Sequence, residues 1–216
     1  MEEKDDDNKK GKNEIEFKVI TLGNLGAGKT SIINSYVNDK FDPNQISTLG
    51  ACFSFKTIEI NGTNIKLKFI DTGGQEKFRS LSISYFRHVD VVLFVFDLNE
   101  PKSFESVQYW IDLFNENNNG KKIKAKYLVG NKNDLEQKID QNLIEEITKK
   151  NNILYMSTSA KTKNQIEVLF QYIGGALYDY LQIQRTNSIN QNDTTSTKIK
   201  VLSKTKVKKK NKKCCG

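Results

Sequence analysis

The eight residues GNLGAGKT, from Gly23 to Thr30, have the residue types and spacing best suited to chemistry. Their three glycines let the backbone curl so that its N–H groups point at a polyphosphate, and a following helix adds the positive end of its dipole. Lys29 has the reach to contact β- and γ-phosphates, and the Thr30 hydroxyl can ligate Mg²⁺. On this stretch alone, a plain glycine-rich turn between a strand and a helix remains the alternative.

The residues around this loop predict the elements that must hold it. An apolar run over 17–22 predicts a buried strand, and apolar side chains at helical spacing over 31–37 predict a helix. A strand, a glycine-rich loop and a helix in this order are the context that a phosphate-binding loop requires.

A second motif, DTGGQE over 71–76, follows a predicted strand over 67–70. An acidic residue beside a phosphate-binding loop can hold Mg²⁺ through a water molecule, so Asp71 is a candidate metal residue. The Gly74 N–H can meet a γ-phosphate, and Gln75 can orient an attacking water molecule. An acidic turn at the end of a strand is the simpler alternative.

Two further short motifs each follow a predicted strand. In the motif NKND, over 131–134, the Asp134 carboxylate can accept hydrogen bonds from the N1–H and the exocyclic amine of guanine. Adenine offers neither donor at these positions, so Asp134 would select GTP over ATP. Ser159-Ala160-Lys161 can close the base pocket, with the Ala160 N–H near the guanine oxygen. The order of all these motifs along the chain argues against chance.

The remaining pattern predicts an α/β fold. The Asn61-Gly62 pair is the strongest short signal for a hairpin, and it joins two β-rich runs over 51–60 and 63–71. Further strands are predicted over 91–97, 126–130 and 153–156, and helices are predicted from Pro101, over 141–150 and over 164–184. This alternation predicts a mostly parallel six-stranded sheet with one antiparallel strand and helices on both faces. In such sheets the ligand binds at the carboxyl ends of the strands.

Length and charge divide the chain of 216 residues into one domain and two tails. We predict a disordered extension over 1–14, a folded domain over 15–184 and a flexible basic tail over 185–216. The tail holds nine lysines and one arginine against a single aspartate, so the rest of the chain carries a net charge near −1. The folded domain is therefore not expected to present a nucleic-acid-binding surface.

Composition also sets an expected compartment. The first residues are charged and lack an apolar stretch, so no secretory signal is expected. The three cysteines do not form a disulfide framework, which favours a reducing cytosol. We expect Cys52 to be a packed small side chain and His88 to be exposed, and neither to be catalytic.

Taken together, the loop GNLGAGKT, Thr48 and the motifs DTGGQE, NKND and SAK resemble the small GTPases of the Ras superfamily, over about 15–184. Within that superfamily the chain is most similar to the Rab family, through FRSLSISYFR, VFDLNEPKSFESVQYW and the final Cys214-Cys215. The resemblance implies the P-loop NTPase fold of small G proteins. It also implies hydrolysis of GTP to GDP and phosphate, slow without an activating protein.

The resemblance implies a switch with assigned residues. Switch I would cover 41–53 and switch II 72–87, both ordered by GTP and loosened after hydrolysis. Lys29 and Gln75 would be catalytic, and Mg²⁺ would be bound by Thr30, by Thr48 in the GTP state only, and by Asp71 through water. The nucleotide would be bound by Gly26, Ala27, Gly28, Lys29, Thr30, Ser31, Phe41, Thr48, Gly74, Asn131, Lys132, Asp134, Ser159, Ala160 and Lys161.

The chain departs from the Rab pattern in three respects. Leu25 places a branched side chain close to where the γ-phosphate, Gln75 and a partner's arginine must meet. Gly73 replaces the usual alanine. On the switch surfaces, Ile70 stands where Rab proteins have tryptophan, and Ala51-Cys52 stands where they have Val-Asp. A GTP-binding scaffold that hydrolyses poorly is therefore an alternative function.

The basic tail has three interpretations. It can be a solvated charge run, a tail that binds nucleic acid without sequence preference, or a membrane anchor. The paired Cys214 and Cys215 favour the anchor, since they resemble the doubly geranylgeranylated Rab terminus, although a final glycine follows them. Lysines beside the anchor would add attraction to anionic lipids. We therefore expect the protein on the cytoplasmic face of an intracellular or plasma membrane, with a further pool of the protein in the cytosol.

The resemblance also implies partners. They are an exchange factor, a GTPase-activating protein, a GDP-dissociation inhibitor, a prenylation escort protein and effectors that contact the switch regions. Nucleic acid is not an expected partner.

Overall fold

The computed structural model describes residues 15–74, 83–118, 120 and 122–204, with side chains described as far as residue 187. Within these residues strands and helices alternate as predicted. The strands are β1 (Ile15–Leu22), β2 (Ala51–Ile60), β3 (Thr63–Thr72), β4 (Val91–Asp97), β5 (Ala125–Asn131) and β6 (Leu154–Ser157). The helices are α1 (Lys29–Asn38), α2 (Pro101–Glu105), α3 (Val107–Asn117), α4 (Gln141–Asn151) and α5 (Ile166–Lys204).

The six strands form one sheet in the order β2-β3-β1-β4-β5-β6. Among the described strands only the pair β2 and β3 is antiparallel, and the other neighbours run parallel. Asn61 and Gly62 form the predicted hairpin turn, and both have positive φ angles, 48° and 73°. Positive φ at both central positions matches the twist of the flanking strands. The predicted fold class is confirmed.

Aromatic side chains fill the core on both faces of the sheet. On one face Phe114 of α3 packs against Phe86 and Phe94, with ring centroids 5.2 Å and 6.0 Å apart. On the other face Tyr36 of α1 stacks on Phe170 of α5 at 3.8 Å. All seven residues of β4 are buried, because helices cover this central strand on both sides.

Two helices differ from their predicted form. The segment that begins at Pro101 is two helices, which meet at Ser106, rather than one continuous helix. Helix α5 continues to Lys204 rather than ending near 184, and no glycine or proline lies between 185 and 204 to stop it. The chain divides into two compact units between Leu177 and Tyr178. The predicted domain boundaries stay predictions.

Two smaller expectations concern exposure. Cys52 is exposed, so the prediction of a packed side chain is wrong. It lies on β2, which is the edge strand of the sheet and is paired on one side only. His88 is exposed, as predicted. Among the described helices, none has both the length and the apolar character needed to span a bilayer.

Gly23, where β1 leaves the sheet, should be intolerant of a side chain. Its φ is +146°, and a Cβ built there would lie 2.1 Å from the Val95 carbonyl oxygen. Gly23→Ala should therefore lower the free energy of unfolding by about 2–4 kcal/mol, through strain and a backbone collision. Urea denaturation of the nucleotide-free protein measures this.

Gly175→Ala is the matched control. Within the described part of the chain, no atom beyond the neighbouring residues and nearby backbone of its own helix lies within 4 Å of a Cβ built at this helical glycine. Alanine should raise the stability there by up to about 1 kcal/mol, since it favours the helix. Equal stability of Gly23→Ala and the parent would contradict the close packing at Gly23.

Candidate functional site

The carboxyl ends of the five parallel strands, β1, β3, β4, β5 and β6, lie on the same side of the sheet, and the predicted motifs lie at the ends of β1, β3, β5 and β6. Helix α1 begins at Lys29, directly after the glycine-rich loop, and no side chain caps its N-terminus. Uncapped N–H groups and the helix dipole favour an anion at this position. The predicted strand, loop and helix around the loop are confirmed.

Lys29 lies at the centre of this edge and is only 5% exposed. Its Nζ donates hydrogen bonds to the carbonyl oxygens of Gly23 and Asn24, both at 2.9 Å. Burial lowers the pKa of Lys29 to about 8, while the negative charge of Asp71 acts in the opposite direction. A buried ammonium that still needs negative charge is a strong attractor for a phosphate.

Thr30, Thr48 and Asp71 form a hydroxyl–carboxylate cluster beside Lys29. The two threonine Oγ1 atoms are 2.9 Å apart, and they donate to Asp71 Oδ2 at 2.7 Å and 3.2 Å. Burial raises the pKa of Asp71, against hydrogen bonds from the two threonines and the charge of Lys29. Two hydroxyls and a carboxylate are hard oxygen donors, so the cluster fits Mg²⁺.

The NKND motif is bonded to the glycine-rich loop. Asn131 Nδ2 donates to the Ala27 carbonyl oxygen at 3.0 Å, and Asn131 Oδ1 accepts from the Ala160 N–H at 3.2 Å. A Cβ built at Gly28 would lie 2.1 Å from Asn131 Nδ2, so glycine is needed for this approach. One amide side chain thus joins three sequence motifs.

Asp134 is held by the SAK motif. Ser159 Oγ donates to Asp134 Oδ1 at 2.6 Å, and Lys161 Nζ lies 3.9 Å from Oδ2. The Asp134 side chain is 13% exposed, whereas that of Lys161 is 62% exposed. These contacts fix the carboxylate at one end of the site and leave acceptor capacity for two further donors.

Asp97 is a site residue that sequence reasoning missed. Its Oδ2 lies 2.6 Å from Lys132 Nζ, and its side chain is 11% exposed. Lys132 has a positive φ of 66°, which is uncommon for a residue with a side chain. The acidic residue at the carboxyl end of β4 could have been found by the same rule that selected Asp71. We infer that Asp97 orients Lys132.

A cavity of about 470 Å³ lies between these groups. The predicted residues that line it are Gly26, Gly28, Lys29, Thr30, Ser31, Phe41, Thr48, Gly74, Asn131, Lys132, Asp134, Ala160 and Lys161. Ala27, Asp71 and Ser159 lie behind the lining and are hydrogen-bonded to it. Leu25 also lines the cavity and is 53% exposed. Gln75 lies outside the described residues, as do Cys214 and Cys215.

The family model that matches this chain is the Ras family, over residues 18–179. The chain belongs to the Ras family. Ras-related protein Rab-30 of Homo sapiens is 36% identical over 156 residues, which is 71% of this chain and 76% of that protein. Rab-13 of Rattus norvegicus is 33% identical over 190 residues, covering 87% and 92% of the two chains. SEC4 of Saccharomyces cerevisiae is 34% identical over 157 residues, or 71% of each chain.

These relatives identify a Rab-like small GTPase. The protein binds guanine nucleotide and hydrolyses GTP, as predicted from its motifs. Membership of this family also implies regulators and effectors in general.

Base selection by this Rab-like GTPase should depend on Asp134. Asp134→Asn converts an acceptor-only carboxylate into an amide that turns a donor towards the guanine amine. GDP affinity should fall by about 100-fold or more, as expected when a buried polar group loses its partner. Affinity for xanthosine diphosphate should rise, because xanthine carries an oxygen in place of that amine.

Titration with fluorescent GDP and with fluorescent xanthosine diphosphate measures both changes. Lys161→Gln is a control at the exposed end of the same pocket and should change GDP affinity far less. An Asp134→Asn variant with parental GDP affinity would contradict the assignment of the base pocket.

Proposed function

We propose that this Rab-like GTPase is a Mg²⁺-dependent switch between GTP and GDP states. The observation that carries the proposal is the hydroxyl–carboxylate cluster of Thr30, Thr48 and Asp71 next to the buried Lys29. When bound, Mg²⁺ neutralises charge on the β- and γ-phosphates. In this proposal the hydroxyls of Thr30 and Thr48 would hold the ion, together with Asp71 through water.

We also propose roles for the remaining catalytic residues. Lys29 contacts the β- and γ-phosphates, and the Gly74 N–H donates to the γ-phosphate. This placement is supported because a Cβ built at Gly74 would lie 2.6 Å from Lys29 Nζ. Gln75, the next residue, orients the attacking water in our proposal. The protein supplies positioning and charge, which is most of what phosphoryl transfer requires.

The segment around Thr48 has the features of a switch. Ile46 and Leu49 are 83% and 72% exposed, so the segment buries little apolar surface. Regions with few buried contacts open at low free-energy cost. Thr48 joins the segment to Thr30 and Asp71, and in our proposal a bound metal and γ-phosphate would order the segment further.

Thr48→Ala tests the switch. It removes a hydroxyl that the proposal uses in the GTP state only. With Mg²⁺ present, affinity for a non-hydrolysable GTP analogue should fall about tenfold, equivalent to about 1.4 kcal/mol, while GDP affinity changes less than about twofold.

Ser47→Ala is the matched control, because this neighbouring hydroxyl lines the cavity and is exposed. It should leave both affinities close to those of the parent. Equal losses for both nucleotides in Thr48→Ala would count against a switch at Thr48.

Leu25 is the observation that favours the alternative of a GTP-binding scaffold. Its side chain is half exposed on the cavity wall, and its backbone nitrogen would lie 2.4 Å from a Cβ built at Gly74. A branched side chain at this position crowds the region where the γ-phosphate, Gln75 and an activating arginine would meet. Slow hydrolysis would leave recruitment of partners as the main activity.

Leu25→Ser should raise the single-turnover rate of GTP hydrolysis by up to about tenfold, which corresponds to about 1.4 kcal/mol of transition-state stabilisation. The increase should be larger with a GTPase-activating protein. Gln75→Leu should lower the rate, because it removes the amide that orients water. If Leu25→Ser leaves both rates unchanged, the scaffold alternative loses its main support.

We also propose a role in vesicle traffic on cytosolic membrane surfaces, supported by the Rab-named relatives. The partners in this proposal are an exchange factor, a GTPase-activating protein, a GDP-dissociation inhibitor, a prenylation escort protein and switch-region effectors. Geranylgeranyl chains on Cys214 and Cys215 and the tail lysines anchor the protein to anionic lipids.

Replacing both Cys214 and Cys215 with serine should move the protein to the soluble fraction, because the lysines alone give only salt-sensitive binding. Membrane flotation of the full chain from cells measures this. As a control, replacing Lys208, Lys209 and Lys210 with glutamine should weaken flotation only partly. Full membrane retention of the double cysteine variant would rule out the lipid anchor.

A further inference from the structure

The side chain of Asn24 joins the glycine-rich loop to the helices that cover the sheet. Its Nδ2 donates to Ser106 Oγ at 2.8 Å, and its Oδ1 accepts from the Trp110 indole Nε1–H at 2.9 Å. Trp110 is 1% exposed and lies in the core with α3. The bond to Trp110 spans 86 positions of the chain.

These hydrogen bonds fix the orientation of the Asn24 side-chain amide. The indole nitrogen is a donor only, so the Asn24 oxygen must face Trp110. The Ser106 hydroxyl donates its hydrogen to the Lys102 carbonyl oxygen at 3.1 Å and therefore accepts from the Asn24 nitrogen. Both ends of the Asn24 amide are thus hydrogen-bonded, one to Trp110 in α3 and the other to Ser106, the residue directly before α3.

The main chain of the same residue holds the catalytic lysine. The Asn24 carbonyl oxygen accepts from Lys29 Nζ at 2.9 Å and from the Ala27 N–H at 3.3 Å. The loop contains three glycines, so its backbone has much conformational freedom to lose on binding. A side chain that ties Asn24 to the core removes part of that freedom beforehand.

We propose that Asn24, Ser106 and Trp110 are positioning residues of the nucleotide site. They hold the Asn24 carbonyl, and through it Lys29, in the arrangement that receives the phosphates. Their contribution is slower release of the bound nucleotide. The inference rests on the proposed function, because it requires the nucleotide phosphates to lie against this loop.

Trp110 is the single tryptophan of the chain, which makes the bond directly observable. Its indole N–H gives one resonance in a ¹H–¹⁵N spectrum, and loss of a hydrogen bond moves such a resonance upfield. Asn24→Ala should shift this signal in the full-length protein with Mg²⁺ and GDP. A role for Trp110 in core packing alone would leave the signal in place.

A double-mutant cycle tests the functional part. Trp110→Phe and Asn24→Ala each remove one side of the bond, and Ser106→Ala removes the other partner of the amide. Each should speed dissociation of fluorescent GDP about three- to tenfold, consistent with a net hydrogen-bond contribution of about 0.5–1.5 kcal/mol. The double variant Trp110→Phe with Asn24→Ala should release GDP no faster than the worse single variant.

Ile111→Val is the matched control, because Ile111 is buried on the same helix. It should lower the melting temperature without changing GDP release. Asn24→Ala and Ser106→Ala keep the test valid if Trp110→Phe does not fold.

Additive effects, unchanged GDP release in Asn24→Ala, or an unmoved indole resonance would overturn the inference. If the parent protein binds GDP and the variants give any of these results, only the positioning role is refuted. A parent that binds no GDP would refute the proposed function and the inference together.

Discussion

The burial of Lys29 is the constraint on which the rest of the site depends. Its ammonium group is buried away from water and donates hydrogen bonds to the carbonyl oxygens of Gly23 and Asn24. Burial lowers its pKa to about 8, so its charge is costly until an anion arrives. The closely packed backbone at Gly23, the uncapped N-terminus of α1 and the buried Asp71 are all arranged around this one cation.

The parallel sheet makes this arrangement possible because it brings strand ends together at one edge. Thr21 is in register with Asp71, and Asp97 is in register with Asn131. The motifs predicted to bind phosphate, metal and base therefore lie side by side, although they are far apart in the chain. Asn131 then bonds the base motif to the loop, so that the two halves of the site are positioned relative to each other.

The cavity lies between a tightly packed core and a loosely packed segment around Thr48. The core behind it is closed by aromatic rings such as Phe94 and Phe114, and β4 is wholly buried. On the open side, the exposed Ile46 and Leu49 flank Thr48. A ligand that reaches both sides changes mainly the loosely packed one, because packed cores deform little. This contrast is the physical basis for a switch.

The sequence by itself determined the strands, the hairpin at Asn61-Gly62 and the motifs, because these depend on local backbone preference and on spacing. The chemistry of the Asp134 carboxylate was also enough to predict that it selects guanine. The tertiary structure decided the break at Ser106, the exposure of Cys52 and the pairing of Asp97 with Lys132. It also decided the bond between Asn24 and Trp110. These features depend on which distant residues the sheet order and helix packing bring into contact, and local sequence does not encode those distances.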